Sequence, residues 1–307
     1  MSNMDAQVGL TVDEAIEMLT APGRAYEIEE QTIFGTPQRV FAHIPQSLAE
    51  YYAQVARYDE RTFLVYEDER YSYAEYFQRV RSLAHRLRDR FAVQPGDRVA
   101  LAMRNYPEWC ITYMAVTAIG AVIVPLNAWW KGAELLYAVD DSGARLVVAD
   151  GERMETLLPL LSGAQELIVV RARRSLPGCV DMSDLLGGRD LPWPEVQLLA
   201  DSDASILYTS GSTGNSKGVV STHRAILSAV FAWDVGRVAL GIVCDPVSLQ
   251  RTAFPAPLTK ASRVLRSVRW PFHAGATCPD RAPSRVMPVA SGCHVALGFA
   301  ALSRVSC

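Results

Sequence analysis

"DRVALAMRNYPEWCITYMAVTAIGAVIVPLNAWWKGAELLYAVDDSGARLVVAD", residues 97–150, contains the alternation that decides the fold. "RVALAM", "AVIVPL" and "RLVVAD" are apolar runs of strand length. Between them stand two longer segments, "YPEWCITYMAVTAIG" and "KGAELLYAVDDSG", with apolar residues at helical spacing. Pro107 falls near the first turn of the former, where its missing N–H costs no hydrogen bond. Near-continuous apolar strands are buried on both faces. Strands alternating with helices predict an α/β fold, a mainly parallel sheet covered by helices.

The alternation extends outward in both directions. Upstream, "SLAEYYAQVARY" (47–58) opens with Ser47 and Glu50, the pair that can satisfy free amides at a helix start. "FLVYED" (63–68) reads as a strand, and Ser72 and Glu75 open a second helix, "YAEYFQRVRSLAHRLRDRF". Downstream come a helix in "ERMETLLPLLSG" and a strand in "ELIVV", then a connecting excursion over 175–195. "ASILYTS" gives another strand and "THRAILSAVFAWDVGRVAL" a long helix. No internal repeat is visible.

Composition narrows the function classes. A chain of 307 residues is long enough for about two domains, and half its residues are hydrophobic. The net charge of −3 gives no reason to expect a nucleic-acid partner. Six cysteines without a CxxC pair argue against a zinc site or a disulfide framework. No uninterrupted apolar run reaches the roughly 18 residues of a membrane helix. The N-terminus lacks the basic start and apolar stretch of a secretory signal, so the cytoplasm is the expected compartment.

The chemistry concentrates in "YTSGSTGNSKGVVSTH", residues 208–223. Gly211, Gly214 and Gly218 let backbone approach a ligand closely. Successive amides in such a turn can form an anion-binding concavity. Thr209, Ser210, Ser212, Thr213 and Ser216 add hydroxyl donors. Lys217 adds a compact positive charge, one of only three lysines against 27 arginines. Placed between a strand and a helix, where α/β folds bind ligands, these residues predict a polyphosphate site. A Gly/Ser linker has similar composition but rarely joins a buried strand directly to a long helix. The P-loop string G-x-x-x-x-G-K-[ST] and the hydrolase string G-x-S-x-G are both absent.

This string closely resembles the phosphate-binding signature of the adenylate-forming (AMP-binding) superfamily, which includes acyl-CoA synthetases, luciferases and peptide-synthetase adenylation domains. Ser216 stands where proline is usual. Residues 97–150 resemble the family's upstream region, with its N-x-P-E-W helix, G-A-V-x-V-P-L-N strand and D-S-G-A-R turn. The likeness runs from about Ser47 to Val243 and is nearest to fatty-acyl-CoA synthetases. It implies ATP-dependent activation of a carboxylic acid as an acyl-adenylate, followed by thioester formation with coenzyme A. Thr209, Ser210, Gly211, Ser212, Thr213, Gly214, Lys217 and Gly218 would then hold the ATP phosphates, with Thr213 helping to place Mg²⁺. His223 reads more readily as a helix-start histidine contacting backbone than as a catalytic group. Trp129 and Trp130 read as packing beside the sheet, and Asp140 and Asp141 as a solvated helix end.

Beyond Val243 the composition changes. Residues 1–243 hold 22 Lys+Arg against 31 Asp+Glu, whereas residues 244–307 hold eight against two and contain no Glu, Ile, Asn or Tyr. That final stretch has four of the six cysteines and seven of the 17 prolines. The family's downstream aromatic-Gly-x-Thr-Glu and T-G-D strings are not found. The expectation is an N-terminal extension over 1–46, a partial AMP-binding domain over 47–243, and an aberrant, poorly ordered basic tail over 244–307. A frameshift near Val243 would account for the tail; an authentic interaction tail is the rival. The chain as written is expected to be an inactive fragment of a fatty acid:CoA ligase, with a non-catalytic nucleotide-binding remnant as the alternative.

Overall fold

The computed structural model describes residues 10–188, 190–209 and 216–244. In chain order the elements are α1 (Val12–Thr20), β1 (Ile28–Ile33), β2 (Thr36–Phe41), α2 (Leu48–Val55), β3 (Thr62–Tyr66), β4 (Glu69–Ser72) and α3 (Tyr73–Asp89). Next come β5 (Arg98–Ala102), α4 (Pro107–Ala118), β6 (Val122–Pro125), α5 (Gly132–Ser142), β7 (Leu146–Asp150) and α6 (Gly151–Leu157). β8 (Glu166–Val170), β9 (Cys179–Asp181), β10 (Asp203–Thr209), β11 (Lys217–Thr222) and α7 (His223–Cys244) complete the described chain.

The described residues divide into two compact units, with the division falling inside α7 at Leu227/Ser228 and before it at Ile44/Pro45. The larger unit is built on a seven-stranded sheet of order β11-β10-β6-β5-β7-β8-β9. Its pairs are parallel except β10–β11, which is antiparallel. Thus the expected α/β class, with a mainly parallel sheet, is the one observed.

The sheet's interior follows from its sequence. Every residue of β7 is buried, as are the last four of β5. α4 buries nearly its whole circumference from Ile111 to Ala118, as a helix without a polar face must. α3 instead buries one stripe, with Tyr73, Tyr76, Phe77, Val80, Leu83, Ala84 and Leu87 inward. It starts at the expected capping box, Ser72 and Glu75 exchanging side chain–backbone bonds. At α2 only half of that device forms. Ser47 accepts from the Glu50 amide, while the Glu50 carboxylate turns to the amide of Gln46. α5 ends at Gly143, whose φ of +63° is the left-handed cap conformation that favours glycine.

Two features differ from the sequence reading. Residues 217–222 are a strand, so the glycine-rich segment lies in a β-hairpin rather than between a strand and a helix. The β-branched run Val219, Val220 and Thr222 explains the strand. In addition, residues 1–46 contain structure that periodicity did not single out: α1 and the β1–β2 hairpin.

The smaller unit comprises described residues 10–44 and 228–244. Ala15, Ala239 and Ile242 form its buried centre, packed by Leu10, Ile16, Leu19 and Val238. Phe231 sets its ring against Tyr26 and Phe41. The Tyr26 hydroxyl donates to Asp234 at 2.5 Å. The segment His223–Val243 is long and apolar enough, by length and composition, to cross a membrane. Counting only uninterrupted apolar residues missed it, because Arg224, Asp234 and Arg237 break the run. Asp234 and Arg237 pair with each other; Phe231, Val235, Ala239 and Ile242 are buried, while Trp233 and Leu240 are exposed.

Candidate functional site

The carboxyl ends of the parallel strands share one edge of the larger unit, and the predicted phosphate segment leaves from it. β10 runs parallel to β6, so its last residue, Thr209, lies at that edge. β11 returns from it, with Thr209 opposite Lys217 and Tyr208 opposite Gly218. Thr209, Lys217 and Gly218 are exposed. The Thr209 hydroxyl donates to the Lys217 carbonyl at 3.5 Å, a long contact that leaves its oxygen open to other partners. The fold thus sets Thr209 and Lys217 opposite each other at the mouth of the hairpin, and a hydroxyl and an ammonium are donors that suit phosphate. Ser210, Gly211, Ser212, Thr213 and Gly214, the remaining predicted ligands, lie outside the described residues, as does the Thr213 magnesium assignment. Among the described residues no group of three or more His, Cys, Asp or Glu side chains is placed to hold a metal ion.

A side chain at Gly218 would crowd the opposite strand. A Cβ there would lie 2.9 Å from Ile206 Cγ2 and 3.4 Å from Tyr208 Cζ. The Tyr208 ring therefore lies across the bare backbone of the opposite strand. Its hydroxyl donates to Asp141 Oδ2 at 2.6 Å. Burial and this bond to Asp141 both push the Tyr208 phenol above its ordinary pKa. Asp141 is exposed but is not merely solvated, since Tyr137 also donates to it.

Neighbouring strand ends are tied by a buried carboxylate. Asp150, at the end of β7, accepts from the Arg104 amide after β5 at 2.9 Å. It also accepts the Arg153 amide at 3.0 Å, capping α6, and pairs with the Arg153 guanidinium at 3.2 Å. Arg153 Nε in turn donates to the Ala128 carbonyl after β6 at 2.8 Å. A buried ion pair with all these bonds made fixes three strand ends relative to one another. The two tryptophans behave differently. Trp130 packs against the core as expected. Trp129 is 74% exposed and instead carries the Arg104 guanidinium 3.8 Å above its ring. Both lie in the turn after β6, closed by the Trp130 amide donating to the Asn127 carbonyl at 3.1 Å, and the turn aims the two adjacent rings differently.

Past β8, Arg171 makes a second knot. It donates to both Glu108 oxygens at 3.0 and 3.1 Å and pairs with Glu69 at 2.7 Å. Its guanidinium also lies 5.3 and 5.1 Å from the rings of Tyr66 and Tyr106. Burial pushes the Glu69 carboxyl up, but the Tyr71 hydroxyl and Arg171 outweigh it and hold it below the usual carboxylate value.

His223, at the start of α7, is fully buried. Its Nδ1 accepts from the Leu48 amide at 3.2 Å, which places the ring proton on Nε2. Burial pushes its pKa down to about 4. The backbone-contact reading of this histidine holds: it joins the exit of the hairpin to the start of α2.

Comparison with known proteins follows the same lines. The family model described as AMP-binding enzyme matches residues 51–288, past the change in composition at Val243. The chain is 31% identical over 176 residues to the long-chain-fatty-acid–CoA ligase FadD13 of Mycobacterium tuberculosis, covering 54% of this chain and 32% of that protein. It is 36% identical over 191 residues to a feruloyl-CoA synthase of Amycolatopsis, covering 62% and 35%. Its fold matches the solved structure of a fatty acyl CoA synthetase of Mycobacterium tuberculosis with a TM-score of 0.52 at 25% identity, covering 62% of this chain and 37% of that one. The chain spans about a third of the length of these curated relatives.

Proposed function

Because this chain belongs to the AMP-binding enzyme family, we propose that it supplies the ATP-phosphate-binding part of an ATP-dependent carboxylic acid:CoA ligase. The observation that carries the proposal is the hairpin at the carboxyl edge, with Thr209 and Lys217 facing each other at its mouth. In this reading residues 209–218 hold the triphosphate, and Lys217 offsets its charge. Thr213 helps to place the Mg²⁺ that accompanies the nucleotide. The carboxylate of the acid attacks the α-phosphorus, pyrophosphate leaves, and the thiol of coenzyme A then displaces AMP from the acyl-adenylate to give the thioester. Holding the phosphates in line for that attack is the task of the loop. Relatives acting on fatty acids and on ferulate support a carboxylic acid as substrate class, and a fatty acid is our choice within it. We place the protein in the cytoplasm, with these small molecules as its partners.

A second reading has its own support. The 307 residues do not contain the T-G-D or aromatic-Gly-x-Thr-Glu strings. We therefore read these residues, expressed alone, as a nucleotide-binding remnant that does not turn over acyl-adenylate. The domain division 1–46, 47–243 and 244–307, with a frame-shifted tail, belongs to the same reading; residues 245–307 lie outside the described residues.

Calorimetric titration with MgATP tests the binding claim. The Lys217→Ala variant should bind more weakly by about 1.5–3 kcal/mol, the range of a charge-assisted hydrogen bond. Equal affinity in both chains would remove Lys217 from the site. Fatty-acid-dependent AMP release separates the two readings, since robust release from the 307-residue chain would contradict the remnant.

A further inference from the structure

β10 pairs with β6 at Ser205 and Ile123, and beyond that point Ile206 and Tyr208 pack against the buried core. Beyond Ser205, the last four residues of β10 are laddered to β11, and among the described residues β11 ends the sheet. The aim of Thr209 and Lys217, paired and exposed at the mouth of the hairpin, then depends on the side chains that hold the end of β10 to the layer beside it. Tyr208 has the contacts to do so. Its hydroxyl reaches Asp141 on α5 at 2.6 Å. Its ring makes edge contacts with Trp130 and Tyr137, at centroid distances of 6.3 and 6.5 Å. It also lies against the backbone of Gly218, next to Lys217. One side chain thus touches both strands of the hairpin and the helix layer beside them.

We propose that Tyr208 and Asp141 are positioning residues for the phosphate loop, their hydrogen bond fixing the end of β10 to α5 and so setting the geometry of Thr209 and Lys217. This rests on the reading of residues 209–218 as a polyphosphate site. Neither residue touches the phosphates. Both act through the two ends of the loop, where a small misplacement weakens every contact that depends on aim.

The test uses the full chain and MgATP, with calorimetric affinity and urea unfolding measured on each variant. Tyr208→Phe and Asp141→Ala should each weaken MgATP binding by about fivefold, the size expected of one partly exposed hydrogen bond. The double variant should bind no more weakly than Tyr208→Phe alone, because the tyrosine change already removes the bond to Asp141 together with the longer contact to the Ala138 carbonyl at 3.4 Å. Asp141→Asn, whose amide oxygen still accepts from the tyrosine, should restore affinity to within about twofold of wild type. A control, Tyr52→Phe, removes the buried bond to Thr117 and should lower stability while leaving affinity unchanged. If Tyr208→Phe loses stability but binds MgATP as wild type does, the positioning role is wrong. If the wild-type chain itself does not bind MgATP, the phosphate-site reading falls, and amide hydrogen exchange at residues 217–219 decides the rest. Faster exchange in Tyr208→Phe supports the tie, and unchanged exchange overturns it.

Discussion

β7 and β11 belong to the same seven-stranded sheet, yet all five residues of β7 are buried while the first four of the six in β11 are exposed. β7 has parallel neighbours on both sides, β5 and β8. Among the described residues β11 pairs with β10 alone, and Val219 and Val220 are each about half exposed. The first strand is built for stability: apolar on both faces, its amides satisfied by two ladders. The second is largely exposed, and among the described residues its outer backbone edge has no partner strand. Scaffold and site therefore fail differently when altered.

The largest expected effect lies in the scaffold. Leu146→Ala, at a fully buried position, should cost about 3–4 kcal/mol of stability by leaving a cavity. Lys217→Ala should change stability by less than about 0.5 kcal/mol, as exposed substitutions usually do. Urea unfolding of both variants checks the contrast; equal losses would break it.

Next comes His223, where the hairpin meets the scaffold. Its folded pKa is depressed to about 4 from an ordinary 6.5, so the unfolded chain takes up a proton more readily. Stability from this group is complete above about pH 6.5 and is lost as pH falls toward 4, by up to about 3 kcal/mol. Protonating Nδ1 would also set two donors face to face at the Leu48 amide. His223→Gln, which retains an acceptor but does not titrate, should flatten that part of the stability–pH curve. An unaltered acid slope would assign the loss to other groups.

A smaller effect is expected at Gly218. Valine there would meet Ile206 and Tyr208 and should cost about 1–3 kcal/mol through overpacking, with nucleotide affinity falling as well. Unchanged affinity would mean that the hairpin stem does not govern the loop. The smallest concerns the edge itself. Val219→Lys should leave stability within about 0.5 kcal/mol and reduce self-association, because charge on an edge strand discourages pairing with another copy. Light scattering after size exclusion measures this, and equal association in both chains would sink the idea.

The scaffold was legible because its burial is periodic. Apolar runs separated by helical spacing announce β5, β6 and β7 without any tertiary information. The loop's composition stands out in the sequence, since glycine, hydroxyl residues and a scarce lysine fall together, but residues 210–215 lie outside the described residues. β11 was not legible: Lys217 and Gly218 read as the end of a loop, although Val219, Val220 and Thr222 already carried a strand signal. The Tyr208–Asp141 tie was hidden for a different reason. Its partners are 67 residues apart, and only the packing of α5 beside the sheet brings them together. Trp129 and Trp130 show the same limit, since residue type alone does not say which of two adjacent rings meets the core.

The central claim is that the edge hairpin binds triphosphate while the interior strands only hold it in place. Amide hydrogen exchange of the full chain with and without MgATP tests this most directly. The account predicts slowed exchange in peptides spanning residues 207–220, with β5 and β7 unchanged. No protection there, or protection confined to the β1–β2 hairpin, would contradict it.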